Sequence, residues 1–168
     1  AKPGKANSFS IAQNAVHHQQ IGTVMDIYAT ILDATGTKNP NNHIIDGTTL
    51  IPQLQGKKNP DRHDHFLCHF PHSHRSSYFT TYRNEDWKLI FRYQTTGNAE
   101  QRANKSKKAL PRYELYDLKN DPYEKANLAD QKPNKLKTLI EQMMAQLDEE
   151  GAQYALDTSK KELRPALP

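Results

Sequence analysis

Ser77-Tyr78-Phe79-Thr80-Thr81-Tyr82-Arg83, then Asn84-Glu85-Asp86, then Trp87-Lys88-Leu89-Ile90-Phe91-Arg92-Tyr93 is the stretch on which the fold turns. Both arms are rich in aromatic and β-branched residues and the connection is short and polar, the pattern of a β-hairpin. On the return arm Trp87, Leu89, Phe91 and Tyr93 share one face, and Lys88, Ile90 and Arg92 the other. A third strand is expected over Arg112–Leu118, with Tyr113, Leu115 and Asp117 on one side. It ends at Lys119-Asn120-Asp121-Pro122, whose Asn, Asp and Pro each favour a turn. A sheet this small needs a cover on its apolar face. Leu136, Leu139, Ile140, Met143, Met144 and Leu147 supply one, falling along a single helical stripe. Asn134 is the expected cap at its start and Gly151 the expected end.

Upstream, Met25, Tyr28, Ile31 and Leu32 form a second helical stripe, and Gly36 stands where a left-handed helix end needs it. Thr23-Val24-Met25-Asp26 has the spacing of a capping box. Asp46-Gly47-Thr48-Thr49 reads as a turn, Leu50–Gly56 as a short helix with Pro52 in its first turn, and His65–Phe70 as a buried strand. The fold class expected is α+β: an antiparallel sheet of about four strands covered by a C-terminal helix. Three regions follow, 1–60, 61–151, and an extended tail, 152–168, expected to lie on another surface.

With 25% charged and 35% hydrophobic residues, the 168-residue chain builds a core but is polar for a globular protein. No apolar run reaches the ~20 residues of a membrane span. The net charge is +4, and Arg102, Lys105, Lys107, Lys108 and Arg112 follow one another without an acid between them. Interleaved aromatics are missing, so nucleic acid is disfavoured against an anionic substrate, a polymer or a solvated loop. Asn104-Lys105-Ser106 is a glycosylation acceptor pattern.

Five of the eight histidines (His63, His65, His69, His72 and His74) fall in one short window. Their spacing matches no familiar zinc pattern, which leaves a rim of histidines and Arg75 contacting an anionic ligand, or ordinary structural histidines. Pro71 ends the strand, so the residues after it can reach into a cleft. Cys68 lies opposite His69 by strand alternation and reads as a buried structural thiol rather than a nucleophile.

Five motifs in fixed order carry a resemblance: Asp26–Asp33, Asp46–Gly56, His69-Phe70-Pro71, Arg83–Ile90, and Glu114–Pro122 running on to Asn127-Leu128-Ala129. From about Pro3 to Leu147 the chain resembles the C-terminal third of the formylglycine-dependent sulfatases, of the alkaline-phosphatase-like superfamily. Ala29 stands where that family often has proline, and Glu85 where it often has glycine. Asn84 is expected to take over the left-handed turn conformation. The resemblance implies a larger departure. Cys68 does not match the family's Cys/Ser-x-Pro/Ala-x-Arg motif, because Phe70 takes the proline position.

By resemblance, the first helix belongs to a large α/β catalytic domain upstream, which would be the partner of this chain. Formylglycine and calcium are expected in the full-length protein and neither is expected to be bound here, so the chain alone would be inactive. In the complete protein a hydrated aldehyde would attack the sulfur of a sulfated small molecule or glycan, with the metal and cations stabilising developing charge. The resemblance makes His69 the foremost substrate contact, with His72, His74 and Arg75 beside it; Tyr28 and Trp87, although they match motifs, read as packing residues. It also implies a periplasmic, secreted or lysosomal location. Two other readings stay open: a binding module for anionic glycans, and a His-rich metal-binding protein.

Overall fold

The computed structural model describes residues 10–14, 20–41, 43–62, 64–72, 78–95 and 110–168. Two compact units form, Ala1–Asp64 and His65–Pro168.

The second unit is a meander. Strands β1 (His65–Phe70), β2 (Phe79–Asn84), β3 (Trp87–Arg92) and β4 (Tyr113–Asp117) pair antiparallel in chain order. The β2–β3 hairpin closes with Asn84 opposite Trp87, leaving Glu85 and Asp86 as its loop. The left-handed residue is Glu85 (φ 53°), not Asn84 as the sequence reading expected. Positive φ at the first of two loop residues is the pattern of a type II′ turn, so the strain falls on the residue that stands in glycine's place.

One sheet face carries Leu89, Phe91, Leu115 and Tyr82, all buried, with Trp87 and Tyr113 packed at the margin. The helix α3 (Pro133–Glu149) lies on it through Leu136, Leu139, Ile140, Met143 and Leu147. Each of these side chains contributes roughly 1.5–3 kcal/mol on burial. Asn134 does not cap this helix. It begins one residue earlier, at Pro133, whose missing N–H and fixed φ suit a first turn. The end is a Schellman motif at Gly151 (φ 62°), with the Ala152 N–H bonded to Leu147 O and the Gly151 N–H to Asp148 O.

The turn after β4 and the Asn127-Leu128-Ala129 motif have a shared task. Asp117 accepts from the Asn120 amide and Asp121 accepts from the Ala126 N–H, which folds the chain back. Asn127 then lies along the open edge of β4, accepting from the Leu115 N–H and donating to Tyr113 O, while the Leu128 N–H bonds Leu115 O. A side chain and one backbone group so cover a strand edge that would otherwise offer pairing to another chain. The tail after Gly151 is not simply extended. It doubles back through a Leu156–Glu162 bridge and packs Tyr154 and Leu163 against this unit's own core.

The first unit contains α1 (Asp26–Thr35) and the short α2 (Ile51–Leu54). Gly36 (φ 62°) ends α1 as expected. The segment Asp46–Thr49 is not a turn. It runs against the start of α1 so closely that a Cβ on Gly47 would stand 2.2 Å from the Met25 carbonyl oxygen. Only half of the capping box forms: the Thr23 N–H and hydroxyl both donate to the Asp26 carboxylate, and no side chain caps the helix in return.

Candidate functional site

The end of β1 brings the predicted residues into view. His69 pairs across the sheet with Thr80 and points to the helix-covered face. Its Nδ1 lies 2.7 Å from the Thr80 hydroxyl, and its Nε2 2.9 Å from the carbonyl oxygen of Gln153, 84 positions on. A carbonyl only accepts, so Nε2 carries the hydrogen. In the neutral ring Nδ1 then accepts from Thr80, whose oxygen accepts in turn from the Tyr93 phenol at 2.7 Å. Burial pushes the Tyr93 phenol up to about 12, with the Thr80 hydroxyl pulling the other way, so this phenol remains a donor. The His69 ring also meets Tyr93 and Tyr154 edge to face, at 6.0 and 5.3 Å between centroids. Both ring nitrogens are engaged inside the unit. The geometry therefore makes His69 a clamp between β1 and the tail, which strand alternation alone does not disclose.

His72, just beyond Pro71, is exposed, its ring 4.1 Å from that of Phe70. Phe70 stacks in turn on Phe79. His63, His74 and Arg75 lie outside the described residues, as do Arg102, Lys105, Lys107, Lys108 and the Asn104 acceptor pattern. Of the basic run only Arg112 is described. Its guanidinium donates to the carbonyls of Arg92 and Tyr93 and lies 5.9 Å from the centre of the Phe91 ring. It holds the strands together there. Cys68 is exposed, not buried: β1 is an edge strand, and Cys68 falls on the face away from α3. Tyr28 is exposed, and its ring meets the edge of His43.

Two features escaped the sequence reading. The first is a buried ion pair between Asp26 and Arg62, whose side chains are 4% and 5% exposed. Arg62 also donates to the carbonyls of Ile21 and Thr48. Burial pushes the Asp26 carboxyl upward, but the N–H groups of Thr48 and Thr23 and the Arg62 guanidinium outweigh it and hold it below 3.8. A lone arginine in a polar connector carries no local sign of such a partner. The second is a hollow of about 370 Å³ beside β4 and the start of α3, lined by Arg112, Tyr113, Asp130, Leu136 and Pro168 among others.

Among the described residues no group of three or more His, Cys, Asp or Glu side chains is placed to hold a metal ion. The described residues thus do not fit a divalent-metal centre. No helix among them is long and apolar enough to cross a membrane.

Against known proteins, residues 9–153 match the family model of the N-sulphoglucosamine sulphohydrolase C-terminal region. Human arylsulfatase D is 30% identical over 71 residues, a match covering 41% of this chain and 12% of that protein. A protein solved in complex with its substrate D-glucosamine-2-N,6-O-disulfate superposes with a TM-score of 0.52 at 26% identity, covering 74% of this chain and 23% of that one. The candidate sulfatase yidJ of Bacteroides fragilis also gives 0.52, at 19% identity over 76% of this chain and 25% of its own, which speaks to fold alone. The chain thus spans about an eighth to a quarter of these relatives.

Proposed function

The chain belongs to the N-sulphoglucosamine sulphohydrolase C-terminal family, and from that premise we propose that it is the C-terminal portion of a sulfatase that hydrolyses a sulfate ester on a small molecule or glycan. The observation that carries this reading is a family match running through both units, from residue 9 to residue 153. Formylglycine and calcium belong to an upstream catalytic domain in this proposal, as the sulfatase family suggests for the full-length protein. No chemical step is assigned to this chain.

Its tasks are docking and lining the substrate pocket. Docking falls to α1, whose inner side is polar, with Asp26 paired to Arg62 and the Thr30 hydroxyl bonded at Leu50. Its outer side, with the residues that lead into it, presents Val24, Met25, Ile27, Tyr28 and Ile31 to water. A continuous apolar face of this kind favours contact with another surface, here the upstream domain. Pocket lining falls to the segment after β1. His72 contacts the sulfated substrate, His74 and Arg75 support it, and His69 holds their base from inside the unit. Cationic and N–H donors suit sulfate oxygens. Export to a periplasmic, secreted or lysosomal compartment completes the proposal.

The test is turnover of an aryl sulfate and of a sulfated glucosamine. The full-length polypeptide should hydrolyse at least one, the 168-residue chain neither. His72→Ala in the full-length protein should raise KM about tenfold, the scale of 1.4 kcal/mol, without moving the melting temperature. A full-length protein inert to every sulfate ester would end this reading.

A further inference from the structure

The family match stops at Gln153, yet the tail beyond it is built into the unit. Tyr154 sets its ring against His69 at 5.3 Å and against Tyr93 at 6.4 Å, both edge to face. Arg164 lies over the Tyr154 ring, 4.6 Å from its centre. The same guanidinium is held by Glu162 at 2.8 Å and Asp148 at 3.3 Å. The Leu156–Glu162 bridge, with Asp157 accepting from the N–H groups of Ser159 and Lys161, returns the chain so that Arg164 reaches Tyr154. From Arg164 through Tyr154 to His69, near the end of β1, and on to Thr80 of β2, every link is a described contact.

We propose that residues Tyr154–Arg164 are a positioning strap: they lock His69 in its Nε2–H form against Gln153, and so set where the substrate-facing end of β1, with His72, stands. The inference rests on the sulfatase reading only for its link to substrate affinity. Tyr154 is a positioning residue, acting through His69, and its ring rather than its hydroxyl does the work. Arg164 acts one step further out, by holding that ring.

Two measurements test it. In the full-length polypeptide, Tyr154→Ala should raise KM for the sulfated substrate roughly tenfold while kcat stays unchanged, because an edge-to-face ring contact is lost and the loop is mis-set. Tyr154→Phe should keep the original KM, and Arg164→Gln should give a smaller rise than Tyr154→Ala. In the 168-residue chain, ¹⁵N imidazole spectra should show His69 as the Nε2–H tautomer, and a mixture of tautomers in the Tyr154→Ala variant. An unmoved KM, an equal loss in kcat, or a phenylalanine variant as impaired as the alanine one would overturn the strap. If no sulfate ester is turned over at all, the sulfatase reading falls, and the His69 spectrum alone decides: unchanged tautomer signals in Tyr154→Ala refute the strap.

Discussion

In the unit His65–Pro168 the largest fully buried side chains are Leu89, Phe91, Leu115, Leu139, Ile140, Met143 and Leu147, all apolar, together with Thr80. In the described part of Ala1–Asp64 the buried residues are Asp26 and Asn59. Asn59 holds Gln20 and Thr49 through its backbone and amide, as Asp26 holds Arg62, Thr23 and Thr48. Meanwhile Val24, Ile27, Ile31 and Ile44 are more than half exposed. The first pattern is a sheet and helix sealing their own apolar faces. The second is an inside-out arrangement in which hydrogen bonds set the shape and hydrophobic surface is left for contact elsewhere. Polar networks specify one geometry at small net gain, whereas apolar burial provides most of the stability.

That contrast is open to attack, beginning with its largest expected effect. Arg62→Ala strands a buried carboxylate and should destabilise the first unit by roughly 3–5 kcal/mol. Amide exchange should then quicken around α1 while protection persists in β2 and β3; loss in both would erase the distinction. Leu139→Ala empties part of a fully buried cluster and should cost roughly 2–5 kcal/mol. Urea titration should find that loss in the second unit.

Acid should separate the two more gently. The Asp26 carboxyl sits below its ordinary 3.8 in the folded chain, so its contribution is fully present above that value. It declines as pH falls further and is gone below the depressed folded value. Amide exchange at stepwise lower pH should therefore open α1 before β3; the reverse order would break the assignment. The smallest effect concerns a turn. Glu85→Gly removes a left-handed non-glycine residue and should stabilise the hairpin by about 0.5–1 kcal/mol, read as a rise in melting temperature.

Much of the second unit was legible beforehand because its signals are local. The return arm of the hairpin alternates residue by residue, and the stripe from Leu136 to Leu147 repeats at helical spacing, so each names its buried face without knowledge of a partner. Met144, at the edge of that stripe, is only partly buried. Around the candidate site the sequence disclosed the strand end before Pro71 but not the contacts that surround it. His72 is exposed where strand-ending Pro71 places it, whereas His69, named first among the four, proves to be tied at both nitrogens. Cys68 was misread because the sequence does not say which strand will be the sheet edge.

The sequence by itself determined the antiparallel hairpin, the third paired strand, the covering helix and the glycine helix ends, since each depends on periodicity or on φ at one residue. Only the tertiary structure decided that Asp26 meets Arg62, that Gly47 must pass against Met25, and that His69 reaches Gln153. Those choices join residues tens of positions apart, and a hydrogen bond between distant side chains leaves no trace in the neighbours of either one.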